Sequence, residues 1–87
     1  MILLSKENCS QCQEFKNFLS FTALGKKHSK DISILVKEKE HPSFEPLLKK
    51  ALAQGAKSYP ILLDENGNVL MTGFNASKAV EILKQLD

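Results

Sequence analysis

Met1-Ile2-Leu3-Leu4-Ser5-Lys6-Glu7-Asn8-Cys9-Ser10-Gln11-Cys12 is the stretch on which the fold turns. Its opening residues form a short apolar run that passes into polar ones, the pattern of a strand over Met1–Ser5. From Ser10 the period changes. Phe15, Phe18, Leu19 and Thr22 recur at helical spacing while Gln13, Glu14, Lys16 and Asn17 face away, so a helix is expected over Ser10–Leu24. The two cysteines fall at the junction of strand and helix. The first N–H groups of a helix lack intrahelical partners and the dipole is positive there, so an anion is stabilised. A thiolate so placed has a lowered pKa, and the thiolate is the nucleophile. Cys9, the first and more exposed, is the expected nucleophile. Cys12, one turn on and facing the same edge, can attack a mixed disulfide formed on Cys9. Two cysteines three apart can also be small buried hydrophobes. Their position in a βα unit favours the redox reading.

Working outward, Gly25 is expected to stop the helix, with Lys26 and Lys27 at the negative end of its dipole. Lys26, Lys27, His28 and Lys30 read as a solvated helix end. Ile32, Ile34 and Val36 alternate as in a second strand. His41-Pro42-Ser43 introduces a second helix with Pro46 in its first turn, Gly55 just past its end, and Leu47, Leu48, Ala51 and Leu52 as its buried face. Ile61–Asp64 and Val69–Thr72 read as strands joined by Glu65-Asn66-Gly67-Asn68, whose Asn-Gly pair signals a hairpin. Asn75 can cap a last helix in which Ala76, Ala79, Val80, Leu83 and Leu86 share a face. Phe15, Phe18 and Phe21 are expected to face the core.

The order is βαβαββα, an α/β class. A helix between the first two strands argues for parallel pairing, and the hairpin adds antiparallel strands. One mixed four-stranded sheet covered by three helices, a single domain over residues 1–87, is the expected architecture.

Composition narrows the function. Hydrophobic residues at 43% and charged residues at 25% are ordinary for a soluble globular chain. No apolar run reaches the roughly 20 residues of a membrane span, and Met1–Leu4 passes into polar residues with no secretory pattern, so a cytoplasmic location is expected. The net charge of +2 gives no reason to expect nucleic acid. Two cysteines are too few for a disulfide-stapled scaffold. Cys9, Cys12, His28 and His41 lack zinc-site spacing, so no metal is expected.

A second motif lies far along the chain. Tyr59-Pro60 stands immediately before the strand Ile61-Leu62-Leu63, where the peptide bond can be cis or trans. Taken with the cysteines, the cis form is the better reading. It would offer the Tyr59 backbone to an extended substrate.

Lys6-Glu7-Asn8-Cys9-Ser10-Gln11-Cys12, Ser58-Tyr59-Pro60 and Thr72-Gly73-Phe74-Asn75 together make the chain resemble a thioredoxin-fold protein of the glutaredoxin branch over Met1 to about Leu86. The resemblance implies a thiol–disulfide oxidoreductase with a catalytic Cys9–Cys12 dithiol and a cis-proline, Pro60, facing it. It implies substrate contacts from Lys6, Ser10, Gln11, Tyr59, Pro60, Gly73, Phe74 and Asn75. Lys6 matches a position that holds a glutathione carboxylate, and Tyr59 one that pairs with glutathione through its backbone. The motifs also depart from the family. Ser10-Gln11 replaces Pro-Tyr, Thr72 replaces a glycine, and Asn75 stands where Asp is common. The Cys-x-Gln-Cys form and single Gly-Phe are similar to glutaredoxin-like redoxins that serve ribonucleotide reductase and are recharged by thioredoxin reductase. The implied partners are a disulfide-containing protein substrate and either glutathione, as co-substrate, or thioredoxin reductase, with no bound cofactor. The alternatives are a non-enzymatic partner-binding module on the same fold and a glutathione-dependent glutaredoxin with a different substrate.

Overall fold

The computed structural model describes residues 1–87. Its elements are β1 (Ile2–Ser5), α1 (Ser10–Phe21), α2 (Ala23–His28), β2 (Ser33–Val36), α3 (Phe44–Ala53), β3 (Ile61–Leu63), β4 (Val69–Thr72) and α4 (Ala76–Lys84), with 3-10 turns at Ser29–Asp31 and Lys37–Lys39. The strands form one sheet in the order β2-β1-β3-β4. β1 runs parallel to β2 and antiparallel to β3, and β3 and β4 form an antiparallel hairpin. The class is α/β with a mixed four-stranded sheet. No helix is long and apolar enough to cross a membrane.

Four helices are present where three were expected, because the first breaks at Thr22. Thr22 has extended backbone, φ −95° and ψ 150°. Its hydroxyl donates to the Phe18 carbonyl at 2.7 Å and accepts the Gly25 N–H at 2.9 Å. One side chain thus closes α1 and caps α2. Gly25 is not a stop. It is buried inside α2, where a Cβ would stand 2.2 Å from the Phe18 carbonyl oxygen and 2.7 Å from Leu19 Cα. The missing side chain is what lets the two helices meet at this bend.

The central strands are apolar on both faces, so the sheet buries one core on each side. Leu3 and its register partner Leu62, with Met71, face Phe15, Leu19, Ala79 and Leu83 beneath α1 and α4. Leu4 and its partner Ile61, with Leu63, face Phe44 and Ala51 of α3 and Ala56. Each such fully buried large side chain contributes about 1.5–3 kcal/mol relative to exposure.

Several expected core positions lie elsewhere. Phe21 is 78% exposed, being two residues past Leu19 and so on the other side of α1 at about 100° per residue. On α3, Phe44 is buried and Leu52 is 54% exposed, because the buried stripe centres on Phe44, Leu47, Leu48 and Ala51. Ala76 is exposed and Leu86 lies beyond the end of α4, so neither joins the core; Ala79 and Leu83 do. His28, expected on a solvated run, is buried, with Nδ1 3.3 Å from an Asp31 carboxylate oxygen and Nε2 2.7 Å from one of Asp87.

The loops follow local chemistry. Gly55 follows α3 with φ +93°. Asp64, expected as the end of β3, leaves the strand to organise the hairpin turn. Its Oδ1 accepts the N–H groups of Asn66 and Asn68, each at 2.9 Å. Those bonds, the Asn68 N–H foremost, hold its carboxyl below the ordinary range. Gly67 supplies the positive φ of +81° that the turn needs.

Candidate functional site

The site grows from the turn between β1 and α1. Asn8 has φ +54°, a left-handed conformation that Asn adopts more readily than most residues. The chain then turns so that Cys9, with extended backbone, becomes the N-cap of α1. Its Sγ accepts the Cys12 backbone N–H at 3.2 Å. A sulfur therefore stands where a capping oxygen usually does, against an N–H that has no partner within the helix. Cys9 is partly exposed and Cys12 is 1% exposed. Their sulfurs are joined, with the Cα atoms 5.2 Å apart. Cys9 is the more accessible sulfur of the pair.

Two open grooves meet at Cys9. One, of about 470 Å³, is lined by Lys6, Asn8, Ser10, Gln11, Lys57, Ser58 and Tyr59. The other, of about 790 Å³, runs past Lys6, Glu7, Cys12, Gln13 and Lys16. Lys6 is common to both, and its Nζ lies 5.3 Å from the centroid of the Tyr59 ring, within cation–π range. The Tyr59 ring stacks on Phe44 with centroids 6.5 Å apart. Burial first, then the charges of Glu45 and Glu38, pushes the Tyr59 phenol above its ordinary pKa, so it remains a neutral hydroxyl at physiological pH.

The Tyr59–Pro60 peptide is cis. Neither the N–H nor the C=O of Tyr59 has a hydrogen-bond partner within the chain, whereas its neighbours are fully engaged. The Gly73 N–H lies 3.0 Å from the Ser58 carbonyl and 2.8 Å from that of Pro60. The Thr72 hydroxyl accepts the N–H groups of Lys57 and Ser58 at 3.1 Å and donates to the Ser58 carbonyl at 2.8 Å. The segment before β3 is thus clamped on both sides of one residue whose backbone is unpaired.

Gln11 joins this clamp to the cysteines. Its Oε1 accepts the Phe74 N–H at 2.9 Å. Gly73, at φ +71°, packs so closely that a Cβ would lie 3.1 Å from the same Oε1 and 3.0 Å from Ser58 Oγ. A side chain expected among the substrate contacts therefore ties the cysteine turn to the loop opposite.

The remaining sequence candidates divide cleanly. Lys6, Ser10, Gln11 and Tyr59 line the groove with Cys9. Pro60 is buried behind Tyr59. Gly73 contributes its N–H to the clamp. Phe74 does not line either groove at Cys9; its ring packs on Phe15 and Phe18 at 5.4 and 5.9 Å. Asn75 is also outside both grooves, its Oδ1 accepting the Lys78 N–H at 3.0 Å as the cap of α4.

Sequence reasoning missed three contributors. Lys57 shares the groove with Lys6, and nothing in its local pattern marks it. Thr72 had a signal only as a departure from family pattern. Glu38, in the turn after β2, accepts the Glu7 N–H at 2.9 Å across 31 residues, a separation no local motif announces. That N–H, with the charges of Lys37 and Lys6, holds the Glu38 carboxyl below its ordinary pKa against opposing desolvation.

No family model, curated protein or solved structure matches the chain.

Proposed function

We propose that the chain is a glutaredoxin-like dithiol–disulfide oxidoreductase that reduces protein disulfides. The observation that carries the reading is the pairing of a helix-capping Cys9 sulfur, held by the Cys12 N–H, with a buried Cys12 one turn later. The thioredoxin-like reading of the fold is supported by the sheet order β2-β1-β3-β4 with β1 parallel to β2. It is supported further by Tyr59, the residue before Pro60 and β3, lining one groove with Cys9.

The chemistry follows from the arrangement. The Cys9 thiolate attacks one sulfur of a substrate disulfide. A Cys9–substrate mixed disulfide forms, and the other substrate sulfur leaves as a thiolate. Cys12, its proton passing to a departing thiolate, then attacks the Cys9 sulfur. The Cys9–Cys12 disulfide closes and the second substrate thiol is released. Two electrons and two protons pass from the dithiol to the substrate. The Cys12 N–H stabilises charge on Cys9 both when it attacks and when it leaves. The unpaired Tyr59 backbone can pair with an extended substrate strand.

An external two-electron reductant, one dithiol or two monothiols, must recharge the protein. Thr72 and Asn75, two departures from the glutathione-binding pattern, are committed to internal hydrogen bonds. With both side chains engaged, a protein reductant is favoured over glutathione, and a protein disulfide such as that of ribonucleotide reductase is the substrate the resemblance implies. The test is NADPH-coupled reduction of the oxidised chain with two donors side by side, glutathione with glutathione reductase and thioredoxin reductase alone. Faster turnover with thioredoxin reductase is the expected result. Turnover with glutathione alone would reassign the electron source, and none with either donor would leave a partner-binding module.

A further inference from the structure

We infer that the Cys9 groove selects disulfides flanked by acidic residues, and that Lys57 is a principal determinant of this preference. The inference rests on the oxidoreductase reading and names the substrate class of that same site.

The groove that joins Cys9, Ser10 and Tyr59 is lined by two lysines, Lys6 and Lys57, and by no carboxylate. None of the chain's ion pairs engages either ammonium. Lys6 rests over the Tyr59 ring at 5.3 Å, a contact that leaves its charge unneutralised. A third lysine, Lys16, lines the groove on the other side of Cys9, where Glu7 is the one acidic neighbour. Glu38 is the acid whose charge is felt at both Lys6 and Tyr59; it lies outside the groove lining and offsets part of the Lys6 charge, which leaves Lys57 as the less compensated cation of the groove. The whole chain carries only +2, so this local excess of cations is a property of the site.

Lys57 is also held in register. Its backbone N–H donates to the Thr72 hydroxyl at 3.1 Å, which fixes where its side chain leaves the chain. The unpaired N–H and C=O of Tyr59 follow two residues later. An extended peptide paired with Tyr59 would carry the side chains beside its cysteine between Lys57 and Lys6. Carboxylates there gain from two unpaired ammonium groups, and lysines are repelled by them.

The test uses the full chain, reduced beforehand and freed of reductant, in single-turnover reactions with three disulfide peptides. The three differ only in having Glu, Ser or Lys beside the cysteine. Each rate is divided by that of the Ser peptide, so loss of general activity cancels. At low salt the Glu peptide is expected to react about tenfold faster than the Lys peptide, and the ratio to fall toward one near 1 M salt, where screening acts over about 3 Å. Lys57→Gln should lower the ratio and Lys57→Glu should lower it further. A ratio near one in the wild-type chain, or one unchanged in both variants, would overturn the inference while leaving the oxidoreductase reading intact. A wild-type chain that reduces none of the three would overturn both.

Discussion

Replacing Cys9 with Ser is expected to lower disulfide reduction on the order of 10³-fold or more, because a hydroxyl at neutral pH offers no anionic nucleophile. The fold should survive. Serine is a good N-cap, and its oxygen can accept the Cys12 N–H that the sulfur now accepts. Cys12→Ser should behave differently. The first attack remains possible, but the mixed disulfide has no neighbour to resolve it, so a covalent adduct of chain and substrate protein should accumulate. Non-reducing electrophoresis and intact mass separate the two outcomes. An adduct with Cys9→Ser and none with Cys12→Ser would reverse the assigned roles.

The second large effect concerns the fold that carries the site. Gly25→Ala is expected to destabilise the chain by about 2–4 kcal/mol, the cost of forcing a methyl group into a filled core with backbone on one side. For a domain of this size that corresponds to a fall in Tm on the order of 10–30 °C. The new Cβ would stand 2.2 Å from the Phe18 carbonyl and 2.7 Å from Leu19 Cα, and neither backbone atom can rotate aside. α1 and α2 would have to part, disturbing Leu19 and Phe15 beneath them. Calorimetry of the variant checks this. An unchanged Tm would mean that the two helices can separate at no cost.

The helix break shows where sequence reading succeeds and where it stops. A glycine after an apolar stripe reads as a stop, and Gly25 satisfies that pattern. The true break is Thr22, which ends α1 with the same hydroxyl that caps α2. A Thr followed three residues later by a glycine whose N–H it accepts is a legible cap, but close helix packing, a tertiary fact, decides that the glycine lies inside the second helix. The capping by Asn75 and the hairpin around Gly67 were legible because a local hydrogen bond or a positive φ requires those residues. The position of Cys9 was legible for the same reason.

The rest of the site depended on distance along the chain. Phe74 sits beside the glycine of the clamp and reads as a substrate contact, yet its ring completes an aromatic cluster with Phe15 and Phe18. Glu38 and Lys57 reach the cysteine turn only because β2 and the segment before β3 flank β1 in the sheet. His28 is polar and lies in a basic run, but its two carboxylate partners come from the next turn and from Asp87. Periodicity carries no record of such pairings. The sheet brings these groups together, and the same sheet places the unpaired Tyr59 backbone along the groove of Cys9.

The proposed chemistry begins with the helix terminus making Cys9 the nucleophile. The direct measurement is the pH dependence of alkylation of the single thiol in the reduced Cys12→Ser chain, where the residue-12 backbone N–H is retained. The expected midpoint lies well below the ordinary thiol value of about 8.5. A midpoint at or above about 8.5 would show no stabilised thiolate at Cys9 and would contradict the proposed chemistry at its first step.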